Sequence, residues 1–496
     1  MAQPWHSRRA VRFGTLLFPP GGLVLLWRSS EFSFARKIFG TIGILLFCIP
    51  WSVAVIFLMV QFCGLQVEFT GGMVPQLTFH KTLPNYAALE ASRSQQRQLS
   101  PRAAQVTNSS GYWNGFRGPL RDGIYREQSI RTNWPASGLR PLWSQPIGGG
   151  YASFAISSGK AFTIEQRRQY EVIVAYDVFT GREIWTNSWP AEFQETLGGD
   201  GPRATPAVAD RLVYGLGALG EFRCLKAETG ETVWRHDIIG ENRGTSLTYG
   251  MAASPLVVED KVIVVPGGAH DKSVVAYNRL SGEMIWHSQD DEPAYSSPLL
   301  LELAGSRHLV VVSDKRAMGI DPRDGKLLWQ FPWVVQQGNR NIAQPVQLAT
   351  NRVFLSGGYG TGCVAFEINR TSETFSTREL WRNKSMKNKF TSSIFFRDAL
   401  YGLDEDILTC VDARTGTRLW KEGRYGYGQL MLAGDQLIIL CGDGDLAIVK
   451  ADPKRPEQLA RFPAIHGKTW NQPALGGGYL LVRNAVEMAC FDLHLP

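Results

Sequence analysis

The chain has 496 residues, of which 44% are hydrophobic, so a large buried core is expected. Its 15 Trp and 51 Gly, with frequent Thr-Gly and Ser-Gly pairs, are typical of an all-β protein built from many short strands. The net charge of +7 does not indicate nucleic-acid binding, because residues 1–62 hold six basic residues and one Glu and so carry +5 of it. The rest of the chain is nearly neutral, and we predict no nucleic-acid partner.

An uncharged stretch of 25 residues, 38–62, follows the basic N-terminal segment. At 1.5 Å per residue, a helix of this length crosses the roughly 30 Å hydrocarbon core of a bilayer. We therefore predict a cytoplasmic or interfacial segment (1–37) and one transmembrane helix (38–62). Arg28, Arg36 and Lys37 precede the helix and, by the positive-inside rule, place the N-terminus in the cytoplasm. The protein is expected to be a single-pass protein of the inner membrane, with everything beyond residue 62 in the periplasm.

A shorter apolar patch, 13–27, is interrupted by two prolines and two glycines. It is too short to span a membrane by itself, and two interpretations stay open: it lies at the membrane interface or forms a re-entrant turn. If it did span the bilayer, the predicted topology would change.

Residues 63–110 lose apolar periodicity and are rich in Ser, Gln, Arg and Pro, which predicts a linker with at most a short helix. Residues 111–138 form a lead-in with several turn signals. Its aromatic residues Trp113, Phe116 and Tyr125 predict that it packs as a lid on the domain that follows.

That domain, 139–496, is built from one repeated unit, first seen as IVAYDVFTGREIW ending at Trp185. Alternating apolar residues predict two half-buried strands, and the Gly of the Thr-Gly pair supplies the positive φ of a tight turn. Eight similar strand openings, the first at 153 and the last at 471, recur about every 44 residues, the period of a four-stranded propeller blade. The sequence predicts an eight-bladed β-propeller.

Ring closure can also be predicted. The last unit, MACFDL at 488, lacks its Trp strand, whereas LRPLW at 139 provides a Trp strand with no unit before it. The N-terminal strand should complete the last blade and remove two free sheet edges. Two units depart from the pattern: the fifth has an expanded turn between Asn369 and Trp381, and the seventh has Phe462 in place of Trp.

The AxDxxTGxxxW pattern of these units resembles the pyrroloquinoline quinone (PQQ)-like repeat propellers over residues 112–496. These include quinoprotein alcohol dehydrogenases and the lipoprotein scaffold of the β-barrel assembly machinery. FRGPLRDG at 116–123 also resembles the lead-in of membrane-anchored PQQ-like repeat proteins of planctomycete-type bacteria. The resemblance implies that the Trp of each unit packs between neighbouring blades; these residues are Trp143, Trp185, Trp234, Trp286, Trp329, Trp381 and Trp420.

Resemblance to the dehydrogenases would imply PQQ beneath a disulfide between adjacent cysteines, a Ca²⁺ held by Glu and Asn, and an Asp base. None of the seven cysteines is adjacent to another, and no His or Cys spacing indicates a metal site. We predict no cofactor or metal, and favour a binding or assembly module over an enzyme. The alternative is a PQQ-dependent alcohol or sugar oxidoreductase with Ca²⁺, in which Asp200 would be the base. A carbohydrate-active propeller would require paired carboxylates across the channel.

Loops that lead into the innermost strands of a propeller meet at one mouth of its channel, where ligands commonly bind. Here they offer polar and aromatic side chains suited to a polyol, a sugar or a peptide; the candidates are Asp200, Arg203, Tyr249, Arg340, Asn341, Lys389, Tyr427, Trp470 and Asn471. Alternatively, these residues satisfy one another and trapped water. The basic members favour an anionic ligand. The expected partners are the membrane and either a cell-envelope protein or a small polar molecule.

Overall fold

The computed structural model describes residues 7–63, 65–68, 76–78, 84–98, 112–135, 137–372 and 374–495. They fall into two compact units, residues 1–81 and residues 82–496.

The first unit is mainly helical. Its elements are α1 (Arg8–Leu17), α2 (Pro19–Arg28), α3 (Phe34–Cys63) and the antiparallel pair β1 (Gln66–Glu68) and β2 (Gln76–Thr78). Helix α3 includes the predicted stretch 38–62 and has a mean hydropathy of 2.5 over its most apolar window. Within the described part of the chain, it is the one helix long and apolar enough to cross a membrane.

The apolar patch 13–27 is largely helical. Its two prolines lie in the first turn of α2, where proline is tolerated because the first N–H groups of a helix have no intrahelical partner. The Pro-Pro-Gly-Gly sequence therefore starts a helix where the sequence suggested a break.

The second unit begins with α4 (Tyr86–Gln98), β3 (Tyr112–Trp113), β4 (Ile124–Tyr125) and β5 (Trp143–Pro146). Eight antiparallel sheets follow and form an eight-bladed propeller, as predicted. Blade 1 consists of β6 (Ala155–Ser157), β7 (Lys160–Arg167), β8 (Tyr170–Asp177) and β9 (Glu183–Pro190); blade 2 of β10 (Ala207–Ala209), β11 (Leu212–Leu216), β12 (Glu221–Lys226) and β13 (Thr232–Asp237), followed by α5 (Ile238–Asn242); blade 3 of β14 (Leu256–Val258), β15 (Lys261–Val264), β16 (Val274–Asn278) and β17 (Met284–Ser288); and blade 4 of β18 (Leu299–Leu303), β19 (Ser306–Val312), β20 (Arg316–Ile320) and β21 (Leu327–Pro332).

The remaining blades continue in the same order. Blade 5 consists of β22 (Val346–Ala349), β23 (Arg352–Gly357), β24 (Gly362–Thr371) and β25 (Thr374–Asn383); blade 6 of β26 (Ile394–Phe396), β27 (Ala399–Asp404), β28 (Ile407–Asp412) and β29 (Arg418–Arg424); blade 7 of β30 (Gln429–Ala433), β31 (Gln436–Leu440), β32 (Asp445–Lys450) and β33 (Glu457–Pro463); and blade 8 of β34 (Ala474–Gly476), β35 (Tyr479–Arg483) and β36 (Glu487–Asp492). Strand β5 completes blade 8 by pairing with β36, with Trp143 opposite Cys490, so the predicted closure is confirmed.

The repeated turn explains why consecutive blades fit together. In blade 1, Asp177 accepts hydrogen bonds from the Phe179 and Thr180 N–H groups and so fixes the turn. Gly181 has φ of +67°, and a Cβ there would lie 2.7 Å from the Trp143 ring. Glycine thus permits both the turn and the docking of the preceding blade's tryptophan.

The indole N–H of most of the docking tryptophans donates to a backbone carbonyl of the next blade. Six of the seven do so; they are Trp143, Trp185, Trp234, Trp286, Trp381 and Trp420. Trp329 differs because blade 5, its neighbour, has two ten-residue strands, β24 and β25, in place of the short turn. Its indole donates instead to Nδ1 of His308 at 2.7 Å.

Phe462 in blade 7 has a related explanation. Blade 8 has no hairpin between its last two strands, since β5 comes from the other end of the chain. Gly138, with φ of +82°, lies against the Phe462 ring as a turn glycine would, and Trp134 packs edge-on to it at 5.6 Å. The substitution therefore marks the position where the ring is closed.

The region predicted to be a linker, 63–110, contains a docked helix, while residues 99–111 lie outside the described part. Arg93 of α4 is 3% exposed and donates to Gln145 at 2.8 Å and to the Pro146 carbonyl at 3.0 Å. It also pairs with Glu183 of blade 1 at 3.3 Å. Helix α4 therefore bridges the closing strand of blade 8 and the neighbouring blade.

Candidate binding site

A ring of hydrogen bonds ties the eight innermost strands together around the channel. One residue at each strand opening takes part, and each is at most 5% exposed; the eight are Ser153, Thr205, Ser254, Ser297, Gln344, Ser392, Gln429 and Gln472. Each bonds to the neighbouring blade at 2.5 to 3.3 Å, and the ring is complete because the Ser153 hydroxyl donates to the Gln472 carbonyl. The channel therefore has a continuous ring of polar contacts at its waist.

The lower end of the channel, where the innermost strands finish, is crossed by the chain's own lead-in. Strand β3 pairs with the innermost strand of blade 1, and β4 pairs in parallel with the innermost strand of blade 7. The lead-in predicted to be a lid thus enters the channel and lies inside the ring of blades.

Two arginines anchor this crossing. Arg121 donates to the carbonyls of Ser254 and Pro298 at 3.1 and 3.0 Å and also to that of Pro255. Arg117 donates to the Ser393 carbonyl at 3.1 Å. Both are buried, and burial lowers the pKa of Arg121 to about 9 and that of Arg117 to about 10.

The upper mouth, where the innermost strands begin, carries a layer of large side chains. They lie two residues before the ring residue, and side chains two apart point to the same side of an extended chain. In six of the eight blades this position holds an aromatic residue or arginine; the six are Tyr151, Arg203, Tyr295, Phe390, Tyr427 and Trp470.

On one side of the mouth, the Arg203 guanidinium lies over three aromatic rings. Its central carbon is 5.3 Å from the ring centre of Tyr151, 5.1 Å from that of Phe193 and 5.9 Å from that of Tyr249. Its outer nitrogens donate to the Gly199 and Gly201 carbonyls at 2.7 and 2.8 Å. Hydrogen bonds therefore hold this cation in place between the rings.

The other side has two lysines in similar positions. The Lys389 ammonium lies 4.6 Å from the Tyr359 ring centre and 4.9 Å from that of Tyr427. Burial lowers the pKa of Lys389, an effect that the nearby Glu405 opposes. Lys468 lies 4.2 Å from the ring centre of Trp470, which packs against Phe390 at 4.6 Å.

Four of the nine candidates are occupied by structural contacts. Arg340 pairs with Glu292 and, at 3.1 Å, with Asp314, so its charge is compensated. Asn471 is fully buried and donates to the Ala152 carbonyl of blade 1 at 2.9 Å, whereas Asn341 and Asp200 bond within their own loops. For these residues, the interpretation that the mouth residues satisfy one another fits the contacts.

The other five candidates lie together in the mouth, and of these Arg203 is also hydrogen-bonded to its own loop. The five are Arg203, Tyr249, Lys389, Tyr427 and Trp470. Sequence reasoning missed six further members; they are Tyr151, Phe193, Tyr295, Tyr359, Phe390 and Lys468. The constant offset from the ring residue could have revealed Tyr151, Tyr295 and Phe390. Ligand binding by these residues stays a prediction.

The donor set does not fit a PQQ–calcium centre. All seven cysteines are free thiols, and no three His, Cys, Asp or Glu side chains of the described residues are grouped to hold a metal. Asp200, the proposed base, accepts the Glu195 N–H at 3.0 Å within its loop. We assign no redox step to this site, and the absence of a cofactor stays a prediction.

Comparison with known proteins agrees with the eight-bladed propeller fold. The sequence model of a family described as outer membrane protein assembly factor BamB matches residues 136–422, more than half of the chain. The chain belongs to this family. It is similar to BamB of Bordetella pertussis, with 21% identity over 308 residues that cover 61% of this chain and 72% of that protein.

Two solved structures have the same fold. BamB of Moraxella catarrhalis aligns with a TM-score of 0.50 and 15% identity, over 71% of this chain and 99% of that one. Quinohemoprotein alcohol dehydrogenase of Comamonas testosteroni aligns with a TM-score of 0.54 and 12% identity, over 82% of this chain and 84% of that one. Because an assembly factor and an enzyme match about equally well, these alignments show the fold alone.

Proposed function

We propose that this protein is a membrane-anchored, extracytoplasmic binding module that holds a cell-envelope protein in the upper mouth of its propeller. The observation that carries the proposal is the make-up of the mouth. Tyr, Trp and Arg dominate protein-binding hot spots, and the mouth offers half-buried side chains of all three types: Tyr249, Tyr427, Trp470 and Arg203.

A polypeptide segment suits this mouth better than a simple anion. The ammonium and guanidinium groups are already stacked on rings, and the charge of Arg340 is compensated by two carboxylates. What the mouth offers is a set of aromatic faces with charges of both signs around them. Such a surface matches a segment with apolar and polar side chains, which rigid aromatics bind with little loss of side-chain entropy.

The anchor in the proposal is α3, supported by its length, its hydropathy and the basic residues before it. These features favour a cytoplasmic N-terminus and a periplasmic propeller. The family match supports a role in assembly, since the family is described as outer membrane protein assembly factor BamB. The described residues of the mouth do not fit a PQQ–calcium centre, so we favour the assembly role over the oxidoreductase alternative.

The test is affinity capture from detergent-solubilised cell envelopes by the full-length protein, with captured proteins quantified by mass spectrometry. Tyr427→Ala should lower capture of the specific partner on the order of tenfold, because a central aromatic anchor is lost. The matched control is Tyr112→Ala, which removes a 40% exposed tyrosine from β3 at the lower end of the channel. Equal capture by the two variants would contradict binding at the mouth.

A further inference from the structure

The N-terminal unit contains a helical hairpin that runs along the first half of α3. At its base, the Trp27 indole donates to the Thr41 hydroxyl at 2.9 Å; at its tip, Phe18 meets Trp51 with ring centres 6.3 Å apart. Trp51 lies 14 residues beyond Lys37, the last charged residue of α3, or about 21 Å along the helix. If α3 spans the bilayer, the α1–α2 hairpin enters the same layer and returns.

Glycines allow this close packing. A Cβ on Gly22 would lie 2.5 Å from the Thr15 Cα, and a Cβ on Gly40 would lie 2.8 Å from a Leu26 methyl group. The outer surface of the hairpin is apolar and more than half exposed at several positions: Phe13, Leu16, Leu17, Phe18 and Val24. This composition suits contact with lipid chains.

Polar contacts gather at the open end of the hairpin. Arg8 pairs with Glu31 at 3.7 Å, and the Lys37 ammonium donates to the Trp27 carbonyl at 3.0 Å. Charged groups concentrate where a membrane helix meets the headgroups. This end therefore marks the level of the membrane surface.

An open groove of about 480 Å³ lies between α1, α2 and α3. Its walls are mainly apolar, and its lining residues include two arginines but no acidic residue; the lining is Val11, Arg12, Thr15, Leu16, Leu26, Phe32, Arg36, Phe39, Gly40, Ile44 and Phe47. Unlike Arg8, neither Arg12 nor Arg36 forms an ion pair with any carboxylate of the described residues. Both are within two turns of the polar end, whereas Phe47 lies deeper along α3.

We propose that this groove binds one anionic phospholipid, whose phosphate lies between Arg12 and Arg36 and whose acyl chain follows Leu16, Phe39 and Phe47. Guanidinium groups bind phosphate oxygens through charge-assisted hydrogen bonds, and basic pockets between membrane helices bind anionic headgroups. The apolar walls fit the chain, which distinguishes a lipid from free phosphate. The inference rests on the proposed membrane anchor.

The experiment is native mass spectrometry of the full-length protein in detergent micelles, titrated with phosphatidylglycerol or phosphatidylcholine. We expect preferential binding of one phosphatidylglycerol, and R12Q/R36Q should weaken it on the order of tenfold. The matched control R9Q/R28Q removes the same charge from residues outside the groove and should leave binding within about twofold. Glycerol 3-phosphate should not compete, because it lacks the acyl chain.

Three results would overturn the lipid site: no preference for phosphatidylglycerol, equal losses in both double variants, or competition by glycerol 3-phosphate. Carbonate extraction of membranes separates this failure from failure of the anchor. If the protein resists extraction but shows no lipid preference, only the proposed lipid site is contradicted. A protein that carbonate releases contradicts the anchor as well.

Discussion

The two ends of the propeller channel have similar side chains, which differ in how deeply they are buried and in what they contact. At the lower end, Arg117 and Arg121 are buried and donate to backbone carbonyls of the surrounding blades. At the upper mouth, Arg203 and Trp470 lie among aromatic rings, most of which stay half exposed. The comparison shows that arginine and aromatic residues in a propeller channel do not by themselves mark a binding site, since the protein's own chain already occupies one end.

The largest expected effect is at the lower end. Arg121→Ala removes three hydrogen bonds to buried carbonyls and should reduce the free energy of unfolding by about 3 kcal/mol. Denaturant unfolding followed by tryptophan fluorescence measures it. Leu120→Ala is the control, because Leu120 is 61% exposed on the same segment and should change stability by less than about 0.5 kcal/mol. Similar values for the two variants would mean that the crossing does not anchor the channel.

Trp470→Ala should affect partner binding more than stability, in contrast to Arg121→Ala. The ring packs between Phe390 and Tyr151 at the surface of the mouth, so its loss should cost about 1 kcal/mol of stability. Capture of the envelope partner should fall on the order of tenfold, as for other central aromatic anchors. A large loss of stability with unchanged capture would place Trp470 among the structural residues.

Behind the mouth, Glu171 in β8 provides a pH-dependent test. It is fully buried and accepts the Ala218 N–H at 2.8 Å, and burial raises its pKa to about 7. Between the unfolded value, about 4.5, and 7, the folded state binds the extra proton. Its contribution to stability is therefore complete below the unfolded pKa and is lost as pH rises through 7.

We expect the protein to lose about 2 kcal/mol of stability between pH 5 and pH 8 from this group, and Glu171→Gln to remove that loss. Urea unfolding at both pH values measures it. Glu165→Gln is the contrasting variant: burial acts to raise the pKa of Glu165, but Arg167, Arg483 and Arg93 hold it below its usual value. If Glu171→Gln kept the full pH dependence, the carboxyl group would already be ionised in the folded protein at neutral pH.

The smallest effect is expected at Lys468. Its ammonium lies over Trp470, an interaction worth under about 1 kcal/mol at a partly exposed position. Lys468→Gln should therefore weaken partner capture by about threefold, and high salt should reduce the difference. Lys454→Gln, an exposed lysine beyond the outer end of blade 7, should have no effect.

Local patterns predicted the blades well because the residues that determine each blade are close together in the sequence. Within nine residues, the unit of blade 1 contains the residue that fixes the turn (Asp177), the glycine that adopts the positive φ (Gly181) and the tryptophan that docks on the next blade (Trp185). The Trp strand at Trp143, which has no unit before it, predicted the ring closure. By contrast, the turn signals around Arg121 could not show that this segment enters the channel. Its carbonyl acceptors belong to blades 3 and 4, which only the closed ring brings near.

The sequence predicted where the candidate site lies but only some of the residues that form it. Arg340 was expected to favour an anion, but Glu292 and Asp314 from the preceding blade compensate its charge. That pairing joins residues up to 48 positions apart, beyond any local pattern. Tyr151 and Phe390 could have been predicted by aligning every strand opening on its ring residue.

The most direct measurement is site-specific photo-crosslinking in living cells. A photoreactive amino acid replaces either Tyr427 in the upper mouth or the exposed Leu120 at the lower end. We expect a crosslink to a cell-envelope protein from position 427, reduced on the order of tenfold by Trp470→Ala, and none to that protein from position 120. A crosslink from position 120 with none from 427 would contradict it, and would place the binding surface on the closed end of the channel.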